Sequence, residues 1–262
     1  MNHRPRKRFG QDFLHDPVII DKIISAIHPL PSEVLVEIGP GEGAITYPLL
    51  RAAGRLTVIE LDRDLIEPLK HNGAALGELG IHNADALSFD FCGLGESEQL
   101  RVIGNLPYNI STPLLFHLLD QHHCIRDMHF MLQKEVIDRM AASPGTGQYG
   151  RLSVMLQYRC RVTPLFTIGP GAFKPPPRVA SAFVRLEPYR APPLHLANES
   201  LFATLVRQAF SQRRKTLRNT LLDLLDAEEI TALGIDPSAR AEPLDLAAFA
   251  ALANRLSELR QT

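Results

Sequence analysis

The sequence predicts an α/β fold, a parallel sheet covered by helices, with a small all-helical domain behind it. Three observations predict it. Between residues 17 and 187, short β-branched or apolar runs alternate with stretches of helical spacing, as strand–helix–strand units require. One apolar run ends in Val36, Glu37 and Ile38 and passes directly into Gly39, Pro40, Gly41, Glu42 and Gly43, a tight turn from strand to helix. Past Arg190, Ala191, Pro192 and Pro193 only helical periodicity remains.

Taken in order, Asp16 and Pro17 predict a helix start, because an aspartate caps free amides and a proline suits the first turn. Val18, Ile19, Ile23, Ile24 and Ile27 then recur at helical spacing. Strands are expected at residues 34–38, 56–60, 81–83, 101–105, 128–132, 161–166 and 180–187, with helices filling most of the intervals. The proline run at 190–193 reads as a linker that divides 1–190 from 191–262. In the second part Leu201, Leu205 and Ala209, then Leu217, Leu221, Leu222 and Leu225, then Leu246, Phe249, Leu252 and Leu256 mark helices. No internal repeat or low-complexity segment is present.

The 262 residues, 45% hydrophobic, suit one full-sized domain with a small appendage. No stretch approaches the roughly 20 apolar residues of a membrane span, and Met1 to Arg8 lacks the apolar core of a signal peptide. A soluble, cytoplasmic chain with no membrane partner is expected. Cys92, Cys124 and Cys160 are an odd number lying far apart, so they read as reduced thiols rather than a disulfide framework or a C-x-x-C site. The closest histidines, His117, His122 and His123, have no carboxylate or cysteine completing a recognisable ligand set, so no metal is expected. A net charge of −1 gives no global basic field. Two local patches stand out: Arg4, Arg6, Lys7 and Arg8 at the start, and Arg207, Arg213, Arg214, Lys215 and Arg218 near the end. Such patches bind phosphate, and as often are simply solvated.

The glycines at 39, 41 and 43 let backbone approach a ligand closely. Glu60 lies 21 residues past Gly39 at the end of the next strand, where an acid can accept hydrogen bonds from both hydroxyls of a ribose. The spacing G-x-G-x-G behind Glu37 differs from the dinucleotide G-x-G-x-x-G and is similar to an S-adenosylmethionine loop. Asp85, after the third strand, is placed to address the amine of an adenine, though alone it is an ordinary loop aspartate.

The most specific element is Asn105, Leu106, Pro107, Tyr108, Asn109, Ile110 and Ser111 at the end of the fourth strand. It is similar to the N-P-P-Y motifs of amino-methyltransferases. An aryl amine is a poor nucleophile, because its lone pair is delocalised into the ring. Accepting its two hydrogens onto the Asn105 side-chain oxygen and the Leu106 carbonyl frees that lone pair, while Tyr108 stacks on the base. Phe173, before the stiff run Pro175, Pro176 and Pro177, is a candidate opposite wall of a base pocket, with Lys174 and Arg178 toward phosphate; a rigid turn with a buried phenylalanine is the alternative.

Together these segments, with Gly10 to Leu14 and Gln133 to Val136, resemble the ribosomal RNA adenine dimethylase family, and within it the bacterial small-subunit branch, over nearly the whole chain. The resemblance implies a Rossmann-like class I methyltransferase sheet whose last strand is antiparallel to the rest. It implies S-adenosyl-L-methionine as cofactor, with contacts from Asp12, Leu14, Gly39, Gly41, Glu60, Asp85 and Asn105. Asp12 stands where the family usually carries asparagine or histidine; a carboxylate there still accepts from an ammonium or hydroxyl group. The implied substrate is two adjacent adenines, each methylated twice, in the 3′-terminal hairpin loop of 16S rRNA within the assembling 30S subunit, with the chain acting as a monomer. RNA contacts are expected from Arg207, Arg213, Arg214, Lys215 and Arg218. Three rivals remain. A large-subunit rRNA adenine methylase of the macrolide-resistance type shares fold and motifs. A nicotinamide dehydrogenase would leave the Asn105 motif without a purpose. A ribosome-assembly factor with vestigial catalysis would keep only the pocket.

Overall fold

The computed structural model describes residues 13–94, 100–107 and 110–261. Among these, β1 (Phe13–Leu14) and α1 (Pro17–Ile27) precede β2 (Val34–Ile38), α2 (Thr46–Ala53), β3 (Arg55–Glu60), α3 (Ile66–Gly73), β4 (Glu78–Asn83) and β5 (Leu100–Asn105). Then come α4 (Ser111–Asp120), β6 (Ile125–Gln133), α5 (Lys134–Met140), α6 (Arg151–Arg159), β7 (Cys160–Ile168), β8 (Phe173–Lys174) and β9 (Ser181–Pro188). Helices α7 (Glu199–Ala209), α8 (Leu217–Thr220), α9 (Ala227–Ala232) and α10 (Leu246–Leu259) follow. The start of α1 lies where the sequence puts it. Asp16 Oδ1 accepts from the amides of Val18 at 2.9 Å and Ile19 at 3.3 Å, with Pro17 in the first turn.

Seven strands form one sheet in the order β4-β3-β2-β5-β6-β9-β7. Neighbours from β4 through β6 are parallel, and β9 runs antiparallel to β6. The last strand therefore does not form an edge but slots between β6 and β7. Leu35, Val58, Ile103, Met131 and Phe183 share one cluster with Ile23 and Ile27 of α1 and Leu49 and Leu50 of α2. Their strand neighbours Val36, Ile59, Val102, Phe130 and Val184 are equally buried, and the two-residue period of a strand turns them to the opposite face. Cover on both faces explains why these strands are almost continuously apolar in sequence.

The chain divides into two compact units: residues up to Ile137 together with Thr163–Pro188, and Asp138–Val162 together with the chain from Tyr189. The sequence reading drew a single division at 190. It did not foresee that 138–162 joins the C-terminal helices. Aromatic packing shows why: within the second unit Phe210 lies 6.1 Å from the ring of Tyr149 and 5.6 Å from Phe249, and Tyr158 lies 5.1 Å from Phe202. Asn198, Asp226 and Asp245 cap α7, α9 and α10 with their side chains. The helix expected through Leu225 stops at Thr220. Leu221 and Leu225 are buried, but Leu222 is 69% exposed, and the amides of Leu217 and Arg218 bond the carbonyls of Ala239 and Pro237.

The cysteine expectation is overturned. Cys92 and Cys124, 32 residues apart, are joined in a disulfide with their Cα atoms 5.4 Å apart. Spacing along the chain gave no hint, because a folded α4 and its turn bring the two segments together. Cys160 stays a free thiol, its pKa pushed up to about 12 by burial. The histidines also part company. His117 Nε2 bonds the Phe89 carbonyl at 2.8 Å and His122 Nδ1 bonds that of Leu119 at 2.9 Å, whereas His123 lies beside the two cysteines. No helix among the described residues is long and apolar enough to cross a membrane.

At the amino ends of β5 and β6 the guanidinium of Arg101, 5% exposed, is saturated. It donates to Asp127 at 2.9 Å, to Glu33 at 2.6 Å and to the Ile27 carbonyl at 2.7 Å, joining the end of α1 to two strands. Arg126 and Arg185 donate to the remaining carboxylate oxygens of Glu33 and Asp127. Removing one member leaves buried charge without a counterion. Arg101→Met, which keeps the apolar stem, is expected to destabilise the chain by about 3–5 kcal/mol in urea denaturation; a loss below about 1 kcal/mol would show that the network is neutral.

Candidate active site at the carboxyl ends of the strands

Register fixes which residues share an edge. Ile38 pairs with both Ile59 and Gly104, Glu60 pairs with Asn83, and the Gly39 amide donates to the Ile59 carbonyl at 2.9 Å. Gly39, Glu60, Asp85 and Asn105 therefore stand at the carboxyl ends of four adjacent parallel strands. The chain leaves β2 toward β3 and β4 on one side and returns to β5 on the other, so the direction of winding reverses between β2 and β5. An open α/β sheet leaves its binding crevice at such a point. The glycine loop and the Asn105 motif flank it.

Glu60 is 6% exposed. Its Oε1 accepts from the Asp62 amide at 2.7 Å and its Oε2 from the Gly41 amide at 3.4 Å. Burial raises the pKa of this carboxyl, and the two amides oppose the rise. Each oxygen keeps a further lone pair for a ligand hydroxyl. Gly41 has φ +58°, and a Cβ there would lie 3.1 Å from the Phe13 ring, so the turn both needs a glycine and is roofed by β1. Beyond Glu60 the side chain of Leu61 is 52% exposed, an apolar surface beside the carboxylate. Asn83 Nδ2 donates to the carbonyls of Glu60 at 2.8 Å and Leu61 at 3.3 Å, holding the end of β3 against β4.

Asp85 is exposed, and its Oδ1 accepts from the Leu87 amide at 2.9 Å, closing the turn after β4. Asn105 is half-buried at the last position of β5; Leu106 next to it is buried, and its amide donates to the Met131 carbonyl at 3.1 Å. The Ile110 amide bonds the Pro107 carbonyl at 3.2 Å, which turns the chain into α4. Asp12, Tyr108 and the basic arm at 4–8 lie outside the described residues.

Two expectations are corrected. Phe173 is 3% exposed, pairs with Leu14 across β1 and β8, and belongs to the core cluster with Ile168 and Phe183, so it anchors its loop instead of facing an open pocket. Leu14, 6% exposed, is part of the same core, so its side chain is not free to meet a ligand. The second concerns the basic patch near the end, which is spread over two helices and the turn between them. Arg207 ends α7, Arg213, Arg214 and Lys215 lie in the turn after it, and Arg218 lies in α8. All five are exposed, but Arg213 already donates to the Gly147 carbonyl at 2.5 Å and stands 4.0 Å from Glu242.

Sequence reading missed one group. Glu37, inside β2, is 2% exposed, and its Oε2 has no hydrogen-bond partner. Burial pushes its pKa up to about 7; the Thr46 hydroxyl works against this and the Glu60 charge adds to it. An acid within the run Val34-Leu35-Val36-Glu37-Ile38 was the available signal. The folded chain holds a proton here that the unfolded chain has released above its ordinary pKa of 4.5, so the group costs stability progressively from pH 4.5 to about 7. Glu37→Gln should flatten that slope and stabilise the chain at pH 8 by up to about 3 kcal/mol. Urea denaturation across pH 4.5 to 8 checks it, and a mutant with the wild-type slope would place the titration elsewhere.

Comparison with known proteins agrees with this geometry. Residues 2–258 match the family model described as ribosomal RNA adenine dimethylase. The chain is 58% identical over 258 residues to the ribosomal RNA small subunit methyltransferase A of Pseudomonas aeruginosa, covering 98% of this chain and 96% of the relative. The protein of the same name from Vibrio cholerae is 54% identical over 263 residues, covering 100% and 97%. Among solved structures, a dimethyladenosine transferase from Plasmodium falciparum superposes with a TM-score of 0.79 at 28% identity, over 95% of this chain and 98% of that one. The 23S rRNA methyltransferase ErmE gives 0.72 at 25% identity, over 94% and 99%.

Proposed function

The chain belongs to the ribosomal RNA adenine dimethylase family, and from that premise we infer that it transfers methyl groups from S-adenosyl-L-methionine to the exocyclic N6 of two adjacent adenines. These adenines lie in the 3′-terminal hairpin loop of 16S rRNA, in the assembling 30S subunit, and the chain works as a cytoplasmic monomer. The observation that carries the reading is the pairing, across the reversal between β2 and β5, of a buried carboxylate tied to a glycine loop with a strand-end asparagine. Its higher identity to small-subunit enzymes, 54–58% against 25% for the 23S enzyme ErmE, favours the small subunit over the large.

The residues fit the donor. Glu60 has spare lone pairs for the two ribose hydroxyls, the Gly39 and Gly41 backbone leaves room for the amino-acid part, and Asp85 stands one strand further on for the adenine. When bound, the donor supplies a methyl group on a sulfonium that departs as a neutral thioether, so no strong base is required. The chain's own work is to prepare the nucleophile. Asn105 Oδ1 and the Leu106 carbonyl accept the two amine hydrogens, and Tyr108 stacks on the base; the two acceptors draw the nitrogen lone pair out of the ring and order it before transfer. An adenine must leave its stack to reach this position, which suits a loop base. Phe173 supports the neighbouring loop from the core. Arg207, Arg214, Lys215 and Arg218 offer exposed cations to phosphate, with Arg213 partly engaged.

Incubation with labelled methyl donor, unmethylated small-subunit particles and, in parallel, unmethylated 23S rRNA tests the reading, with label expected on two neighbouring dimethyladenosines of 16S rRNA. Label confined to 23S rRNA would overturn the assignment. Asn105→Ala should abolish transfer while weakening cofactor binding less than Glu60→Ala does. Glu60→Ala should do the reverse first, weakening cofactor binding by about 1.5–3 kcal/mol, roughly ten- to hundredfold by calorimetry. Unchanged affinity would remove Glu60 from the site.

A further inference from the structure

We propose that Cys92 and Cys124, with His123 beside them, are a reversible thiol-modification site that exchanges with small-molecule disulfides and sets how firmly the Asp85 segment is held.

The bond joins the segment that follows Asp85 to the turn that leads into the amino end of β6. Cys92 opens the short turn Cys92–Leu94, seven residues after Asp85. Cys124 closes the turn His122–Cys124, just after α4, the helix that begins where the Asn105 motif ends. Gln121 sits between them. Its Oε1 accepts from the amides of Phe91 at 2.7 Å and Cys92 at 3.3 Å, and its Nε2 donates to the Phe89 carbonyl at 3.1 Å. Residues 89–92 therefore rest on α4 and its end through these hydrogen bonds, each worth about 1 kcal/mol, the His117 bond to the Phe89 carbonyl and the buried ring of Phe91. The covalent link adds a constraint those bonds cannot supply.

The surroundings suit both oxidation states. The Gln121 carbonyl oxygen lies 3.5 Å from Cys92 Sγ and 3.1 Å from Cys124 Sγ, an acceptor beside both sulfurs for the thiols that reduction separates. Access is graded. Cys92 is half-buried and Cys124 buried, while His123 is exposed and its ring nitrogen lies within 4.8 Å of both sulfurs. In exchange, His123 takes the proton of the Cys92 thiol. The Cys92 thiolate attacks one sulfur of the reagent R–S–S–R, breaking that bond and releasing one thiolate, which is protonated to RSH. The Cys124 thiolate then attacks the Cys92 sulfur of the mixed disulfide and releases the second RSH, so two protein thiols and one reagent disulfide give one protein disulfide and two small thiols. Cys160, buried and with its thiol pushed up to about 12, takes no part.

The site stands independently of the proposed methyl transfer; only its consequence for cofactor affinity rests on that reading. The test treats the dithiothreitol-reduced full chain with glutathione disulfide, blocks remaining thiols and maps the peptides. A Cys92–Cys124 cross-link that dithiothreitol releases is expected, with amide hydrogen exchange across residues 85–92 at least tenfold slower in the oxidised chain. Cys92→Ser and Cys124→Ser should exchange like the reduced chain under both conditions. Absence of the cross-link, equal exchange in both states, or uptake of one zinc ion by the reduced chain that Cys92→Ser abolishes would overturn the proposal, the last by making the cluster a metal site. Calorimetry with S-adenosylmethionine is expected to show at least threefold weaker binding to the reduced chain. Failure of both states to bind it would refute the donor site and leave the exchange result to decide the thiol site.

Discussion

The carboxylate of Glu60 is buried at the end of β3, and an ionised carboxylate in that position has to be met by donors or remain protonated. Two backbone amides meet it. The Asp62 amide comes from the residue that caps the next turn, which ties the strand end to the chain that follows. The Gly41 amide comes from the loop after β2, and turning it inward demands a positive φ that other residues adopt only with strain. The glycine spacing, the acid at the next strand and the cap at Asp62 are thus one arrangement seen from three places. Everything assigned to the donor end depends on that carboxylate holding the loop.

The two ends of the sheet handle buried charge differently. At the amino ends of β5 and β6, Arg101 is answered by Glu33, Asp127 and the Ile27 carbonyl, which locks α1 to the strands. Even His129 beside that network stays neutral, its pKa lowered to about 4, chiefly by burial. At the carboxyl ends, Glu37 keeps an oxygen without a partner, and Glu60 has acceptor capacity left over. Paired charges at one end give stability, although the His129 ring nitrogens and Arg185 Nε beside them are buried without a hydrogen-bond partner; unused acceptors at the other end leave groups for a ligand.

The C-terminal unit contributes a different kind of surface. Its interior is aromatic and aliphatic, with Phe202, Phe210 and Phe249 at its centre, and its helices begin at capped positions. The turn between α7 and α8 then carries Arg213, Arg214 and Lys215 outward on a backbone held by Arg213 to Gly147. Exposed cations on an ordered turn hold phosphate with less entropy lost than on a loose arm.

Much of this was legible in the chain itself. Strand positions, the Asp16 cap, the glycine loop, Glu60 at its spacing and the Asn105 motif are local signals, because apolar period and turn chemistry act over a few residues. The family resemblance supplied the antiparallel sense of the last strand. Tertiary structure alone placed β9 between β6 and β7, buried Phe173 beside Leu14, gathered 138–162 with the C-terminal helices, and joined Cys92 to Cys124. Each of these depends on segments distant in sequence meeting in space, and burial and long-range pairing leave no periodic trace along the chain from which they can be read.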